Sequence, residues 1–157
     1  MRKQLLLMLI LCLSAMMVRA ERIDVSTARK VAENVANAGS GLRSAGDLTL
    51  VYAAAPGKSS SALRSGTVNG DAERILFNVG SENGFVIVAG DDRVRPVLGY
   101  ADEGSFDAGK LPPNAAAWLA GYQEEISGAI SKDIQPSVAI RQEWNEYLNG
   151  RSQLRAA

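Results

Sequence analysis

Two runs of strand-forming residues around a short turn constrain the fold more than any other feature of the chain. Residues 75–79 read Ile-Leu-Phe-Asn-Val, in which Ile, Phe and Val alternate with Leu and Asn, while residues 85–89 read Phe-Val-Ile-Val-Ala and are apolar throughout. The five residues between them, Gly-Ser-Glu-Asn-Gly, end in an Asn-Gly pair. This arrangement predicts a β-hairpin. Because the second run does not alternate, we expect its strand to be central and covered on both faces.

Two further segments predict strands on either side of this hairpin. Residues 48–52 read Leu-Thr-Leu-Val-Tyr, and residues 96–100 read Pro-Val-Leu-Gly-Tyr. Proline is permitted at the first residue of a strand, where no ladder donor is needed. The sequence therefore predicts an antiparallel meander of about four strands. Glycine- and serine-rich loops are expected at residues 39–46 and 55–70.

Helical patterns flank the predicted strands. Asp24 or Ser26 can cap a first helix that ends near Gly39, and Asn114 is a suitable N-cap for a long helix after Pro112 and Pro113. The predicted core face of the long helix comprises Ala115, Trp118, Leu119, Tyr122, Ile126 and Ile130. A last helix after a break at residues 136–137 carries Ile140, Trp144 and Leu148. The expected fold class is α+β, with the helices packed on one face of the sheet.

The first twenty residues are typical of a secretory signal peptide. Arg2 and Lys3 precede an apolar stretch of fourteen residues, 5–18, and Val18-Arg19-Ala20 offers small residues before a cleavage site. The stretch is short for a membrane span. We expect cleavage after Ala20, a folded domain over residues 21–150, a loose tail over 151–157, and a secreted or periplasmic location.

Composition after residue 20 excludes several classes of function. Fourteen bases remain against seventeen acids, a net charge of −3, which argues against nucleic acid or an anionic membrane surface as partner. The chain has no histidine, and its one cysteine, Cys12, lies in the predicted signal peptide. Ser-His-Asp catalysis, Cys-His catalysis and ordinary zinc sites are therefore excluded.

Local motifs for nucleotide or metal binding are incomplete. Gly57-Lys58-Ser59 follows a predicted strand, but a phosphate-binding loop needs a glycine where Tyr52 stands. The acids at 91–92, 102–103 and 107 cluster in sequence without the spacing of a calcium-binding loop or a placed carboxylate pair. We expect no cofactor and no bound metal.

The segment Leu111-Pro112-Pro113-Asn114 supports two interpretations. It is either a stiff start of the long helix, capped by Asn114, or a rigid and partly apolar projection that enters a cleft. Two prolines reduce the entropy that a segment loses on binding, which favours affinity. Tyr100 and Phe106 border the preceding loop, and each is either a core residue or a contact residue.

Four short blocks together resemble a known family. They are Ile-Leu-Phe-Asn-Val at 75–79, Gly-Phe-Val-Ile-Val-Ala-Gly-Asp at 84–91, Val-Leu-Gly-Tyr at 97–100 and Gly-Ser-Phe-Asp at 104–107. The pattern is similar to the propeptide of streptopain-type cysteine peptidases and to the stand-alone, Spi-like inhibitors related to it. The resemblance runs from about residue 75 to 126, is weaker over 23–38 and is not recognisable past 132.

This resemblance implies a fold, a partner and a site. In that family the propeptide is an α+β domain that packs on the peptidase and holds it inactive. The loop before its long helix approaches the active site, where an asparagine is associated with displacing the catalytic histidine. The matching residue here is Asn114, which favours the projecting interpretation of Leu111, Pro112, Pro113 and Asn114.

The family's peptidase half, with its catalytic Cys and His, is expected after this domain, and the sequence stops at Ala157. We therefore expect a non-enzymatic inhibitor, monomeric when free, that binds a streptopain-like cysteine peptidase in trans and blocks its active-site cleft. Two alternatives remain open. One is a zymogen remnant or trans-acting folding helper of such a peptidase, and the other is an envelope binding module for protein or glycan.

Overall fold

The computed structural model describes residues 20–38, 47–54 and 73–151. These residues form three helices and four strands, in the order α1 (Val25–Ala38), β1 (Leu48–Ala54), β2 (Arg74–Val79), β3 (Phe85–Ala89), β4 (Val97–Ala101), α2 (Pro113–Ser131) and α3 (Val138–Leu148). The α+β class is confirmed. Residues 1–19 of the predicted signal peptide, the expected loops at 39–46 and 55–70, and tail residues 152–157 lie outside the described ranges.

The four strands form one antiparallel sheet in the order β1-β2-β3-β4. The predicted hairpin is β2 and β3, and its turn closes through hydrogen bonds from the Val79 amide to the Gly84 carbonyl (3.0 Å) and from the Asn83 amide to the Val79 carbonyl (3.1 Å). Gly84 has φ of 106°, a conformation that glycine adopts at little cost. Strand β3 is an inner strand and is buried on both faces, as its apolar sequence predicted.

Helix α1 covers one face of the sheet. Asp24 caps it, since its Oδ1 accepts hydrogen bonds from the Thr27 amide (2.7 Å) and the Ser26 hydroxyl (2.6 Å). The Arg29 guanidinium lies 5.3 Å from the centre of the Phe77 ring and donates to the Leu48 carbonyl at 2.8 Å. The buried side of α1 has the i, i+3, i+4 spacing of an amphipathic helix and comprises Ala28, Val31, Ala32, Val35 and Ala36.

Helix α2 covers the opposite face. Arg74 and Phe77 lie an odd number of residues apart in β2, so their side chains point to opposite sides of the sheet. Arg74 Nη1 donates to the Leu119 carbonyl of α2 at 2.8 Å, whereas Phe77 faces α1. The prediction that the helices share one face was therefore wrong, because burying β2 and β3 on both sides requires a helix on each.

Helix α3 packs beside α1. The Asn34 side-chain amide donates to the Tyr147 carbonyl at 2.6 Å. Trp144 is buried, and its indole Nε1 donates to the Val94 carbonyl at 2.8 Å. Ser137 caps the helix by accepting from the Ile140 amide at 3.2 Å, which confirms the predicted break before it.

Candidate functional site

Phe106 fixes the chain that leads to the candidate site. It is 8% exposed, and its ring meets that of Phe85 edge to face with centroids 5.6 Å apart. The Asn78 side-chain amide holds its backbone from both sides, since Oδ1 accepts from the Phe106 amide (2.8 Å) and Nδ2 donates to the Phe106 carbonyl (3.1 Å). The sequence left Phe106 as either a core residue or a contact residue, and the structure places it in the core.

A second link fixes the same loop to the β2–β3 turn. The Gly84 amide donates to the Gly104 carbonyl at 2.8 Å, and the Gly104 amide donates to the Glu82 carbonyl at 3.0 Å. Gly104 has φ of 76°. The chain between β4 and α2 is thus attached to the hairpin at Gly104 and again at Phe106.

A tight turn follows Phe106. Asp107 Oδ1 accepts from the Gly109 amide at 2.8 Å, and the Asp107 carbonyl accepts from the Lys110 amide at 3.0 Å. This is the local hydrogen bonding by which aspartate favours turns. The Lys110 ammonium lies 3.8 Å from Asp107 Oδ2, but both side chains are mostly exposed, so the ion pair stabilises the turn little.

Helix α2 begins two residues earlier than predicted, and Asn114 does not cap it. The N-cap is Pro112, with extended ψ of 149°, and no side chain accepts a hydrogen bond there. A residue before proline is biased to extended backbone, and proline suits the first helical position, where no amide donor is needed. Pro113 therefore starts the helix. Asn114 is already inside the first turn, so the prediction of a capping role was wrong.

The four predicted contact residues divide into one anchored and three exposed positions. Leu111 is half-buried against the hydrophobic core, whereas Pro112, Pro113 and Asn114 are exposed. Within the described ranges, the Asn114 side chain forms no hydrogen bond or ion pair. We call Pro112–Asn114, carried on the anchored Leu111, the projecting segment.

A cleft of about 460 Å³ lies beside the projecting segment, between it and the α2 face of the sheet. Its lining includes Phe85, Ile87, Phe106, Leu111, Pro112 and Trp118. The lining is largely apolar, so the surface next to the projecting segment can bury apolar side chains of a partner.

Trp118 is part of this surface, and sequence patterning missed it. The residue was predicted to lie in the core, but its side chain is 46% exposed. Its ring packs edge to face on Tyr122, with centroids 4.9 Å apart, and its tip lies over Gly99 of β4. A glycine inside a strand is the signal that was available, because it often marks a close approach by a neighbouring group.

Tyr100 lies apart from the projecting segment. It is 44% exposed and lines a different groove, of about 670 Å³, together with Tyr122 and Tyr147. An ion pair between Arg95 and Glu143 at 2.9 Å borders this groove. Burial raises the pKa of the Tyr147 hydroxyl, and the nearby Glu143 carboxylate adds to the rise. The structure therefore does not bring Tyr100 and Asn114 into one site.

The acidic residues that cluster in sequence do not converge in space. Asp91 is buried and paired with Arg93 at 3.0 Å, while Asp102 and Glu103 are exposed. Across residues 20–38, 47–54 and 73–151, no group of three or more His, Cys, Asp or Glu side chains is placed to hold a metal ion. In the same ranges no helix is long and apolar enough to cross a membrane.

Comparison with known proteins relates the chain to thiol peptidases. It is 39% identical over 89 residues to the thiol protease/hemagglutinin PrtT of Porphyromonas gingivalis, covering 54% of this chain and 10% of that protein. It is 48% identical over 52 residues to streptopain of Streptococcus pyogenes, covering 32% of this chain and 12% of that protein. The chain thus matches about a tenth of the length of these curated relatives. No solved structure matches it significantly.

The sequence profile of one family covers most of the described chain. Residues 20–126 match the family described as Spi protease inhibitor, a span that contains α1, the whole sheet, the projecting segment and most of α2. The resemblance inferred from the four sequence blocks is confirmed. This chain belongs to the Spi protease inhibitor family.

Proposed function

We propose that this protein is a secreted inhibitor that binds a streptopain-like cysteine peptidase in trans and blocks its active-site cleft through the projecting segment. Family membership and the thiol-peptidase relatives support the class of partner. The observation that carries the proposal is the state of Asn114. Its side chain is exposed, caps no helix and has no polar partner in the described part of the chain, so it is available to a binding partner.

The rigidity of the surrounding chain supports this role. Asn78 and Leu111 hold the segment's base, and two consecutive prolines restrict the backbone in between. A segment that is ordered before binding loses less conformational entropy on binding, which favours affinity. Half-exposed Trp118 next to the cleft adds an aromatic side chain of the kind that dominates binding energy at interfaces.

Binding in trans sets a requirement on affinity. A propeptide fused to its peptidase benefits from an effective concentration of the order of millimolar. A separate inhibitor lacks this advantage, and nanomolar binding corresponds to about −12 kcal/mol. We therefore expect an interface of roughly standard size, about 1,600 Å² in total, in which the projecting segment and Trp118 lie near the centre.

Inhibition kinetics against a purified streptopain-type peptidase test the proposal. We expect Asn114→Ala and Pro113→Gly each to raise the inhibition constant about tenfold or more, as for central interface residues. Asn145→Ala is the matched control, because Asn145 is also an exposed helical asparagine but lies on α3. If wild type inhibits and both segment variants inhibit equally well, the segment is not the contact. If wild type does not inhibit, the inhibitory function itself is wrong.

A second candidate function follows from the lengths of the relatives. The chain covers only 10% and 12% of the matched peptidases, which is what a propeptide-like segment of a longer protein would cover. In that role the domain would assist folding of a peptidase and inhibit it little. Adding the chain to a refolding peptidase separates the two functions, since a folding helper raises the yield of active enzyme and an inhibitor lowers the activity recovered.

A further inference from the structure

The first described residues form a short strand-like contact with the chain that follows β3. The Ile23 amide donates to the Gly90 carbonyl at 2.9 Å, and the Asp92 amide donates to the Glu21 carbonyl at 3.1 Å. The Glu21 amide nitrogen, in turn, donates to the Asp92 carboxylate at 2.8 Å. Asp92 therefore holds Glu21 at both its nitrogen and its carbonyl oxygen.

The Asp92 carboxylate lacks a cationic partner in the part of the chain that the structure describes. The guanidinium of the adjacent Arg93 instead pairs with Asp91 and with Asp133, each at 3.0 Å. Asp92 is half-buried, and burial raises the pKa of its carboxyl. The neighbouring Asp91 and Glu21 carboxylates add to the rise, while the Glu21 amide and Arg93 oppose it.

The peptide bond expected to be cut by signal peptidase lies directly at this contact. The sequence favours cleavage between Ala20 and Glu21, and the family match begins at residue 20. Hydrolysis consumes one water, leaves a carboxylate on Ala20 and converts the Glu21 amide nitrogen into a protonated α-amine. That nitrogen already lies within hydrogen-bond distance of Asp92 Oδ1.

We propose that removal of the signal peptide creates an ion pair between the new α-ammonium group of Glu21 and the carboxylate of Asp92, which fastens the N-terminal strand to the domain. Processing would thus complete the fold as well as release the protein. In the precursor a neutral amide donates to the Asp92 carboxylate, whereas after processing an ammonium group donates to it. The added attraction between opposite charges holds the first residues more firmly than in the precursor.

This ion pair makes stability depend on pH in a defined direction. A free α-amine titrates at about 7.7–8.0, and a close carboxylate raises that pKa by about one unit or more. The charged groups at this contact are Asp92 itself and the three that act on its carboxyl, Asp91, the Glu21 side chain and Arg93, so three of the four are acidic. Because the folded pKa is raised, the stabilisation is present below about pH 8 and is lost as the pH rises through the raised value.

The test starts from the full chain, exported from a bacterial host and purified after processing. Mass spectrometry should show Glu21 as the first residue. Urea unfolding of wild type, Asp92→Asn and the control Asp102→Asn, an exposed acid with no hydrogen bond among the described residues, is then followed from pH 7 to pH 10. For wild type and the control, we expect the unfolding equilibrium constant to rise about tenfold more over this range than for Asp92→Asn.

A different first residue, or the same pH dependence in Asp92→Asn and wild type, would overturn the proposal. If Asp92→Asn does not fold, acetylating the α-amine of the wild-type protein near neutral pH, where lysines are protonated, should remove the same pH-dependent step. Retention of the step after acetylation would also overturn it. No peptidase takes part in these measurements, so their outcome is independent of the proposed inhibitory function.

Discussion

The ring of Trp118 occupies the space that a side chain at Gly99 would need. A β-carbon placed on Gly99 would lie 2.8 Å from Cη2 of the tryptophan. Real β-carbons do not approach this closely, so the Trp118 ring can keep its present position only with glycine at position 99. The position of the Trp118 ring therefore depends on the absence of a side chain at Gly99.

We predict that Gly99→Ala displaces the Trp118 ring into solvent. Because Trp118 is about half-exposed and its ring can move, the free energy of unfolding should fall by only about 1 kcal/mol, at the low end of overpacking effects. Tryptophan fluorescence should shift to longer wavelength, against a constant background from buried Trp144. The control is Gly121→Ala in α2, where a β-carbon meets nothing within 4 Å. That change should leave the spectrum unaltered and stabilise the helix slightly.

Asn78→Ala should loosen the base of the projecting segment. The change removes both side-chain hydrogen bonds to the Phe106 backbone and leaves a partly buried amide and carbonyl without these partners. We expect a loss of about 2 kcal/mol in the free energy of unfolding, measured by urea denaturation. If inhibition depends on a rigid segment, the inhibition constant should rise as well. Unchanged stability would show that the two hydrogen bonds contribute little.

Arg93→Met should be strongly destabilising. Asp91 is fully buried and Arg93 is 11% exposed, so the substitution leaves a buried carboxylate without its partner. Breaking such a pair from one side costs about 3–5 kcal/mol. Arg95→Met, which removes a guanidinium that is 72% exposed, should cost about 1 kcal/mol or less. Thermal denaturation of both variants compares them directly, and equal losses would contradict this account of burial.

The cap of α1 should make the protein less stable in acid. Hydrogen bonds from the Ser26 hydroxyl and then the Thr27 amide lower the pKa of the Asp24 carboxyl below its usual 3.8. Since the folded pKa is the lower one, the stabilisation is present above about pH 4 and is lost as the pH falls through the folded value. Asp24→Asn keeps a capping side chain but does not titrate, so its unfolding midpoint should depend less on pH between 2 and 5. An unaltered pH profile would refute this role.

The sequence predicts the hairpin well because its two strand-forming runs and the Asn-Gly turn between them are local features of the chain. The continuous apolar run of β3 indicated cover on both faces, and that inference was right. Cover on both faces is incompatible with the expectation that all helices pack on one face, since three helices on one side cannot bury the other side of the sheet. The order of elements along the chain carries no information about which face each helix takes, and this had to come from the contacts of Arg74 and Phe77.

The errors at the candidate site also have local causes. Asparagine is a frequent cap, but the Pro112–Pro113 pair fixes the helix start upstream of Asn114. The apolar stripe of α2 identifies which side of the helix faces the sheet, but it does not show which of its residues lie at the sheet edge. Trp118 lies there, against β4, and was therefore wrongly assigned to the core. Leu111 and Phe106 were recognised as candidates, but both turn out to anchor the loop, because they pack on the core and because Asn78, far away in the sequence, holds the Phe106 backbone.

The double attachment at Gly104 and Phe106 has a consequence for how selective the protein would be. A segment held at its base cannot adjust its shape to a partner, so a cleft that differs by an ångström or so would leave gaps or clashes along the contact. Stiffness that favours one well-matched peptidase therefore disfavours others with only similar clefts. We expect a narrow range of targets, and loosening either attachment should broaden that range while weakening binding to the preferred peptidase.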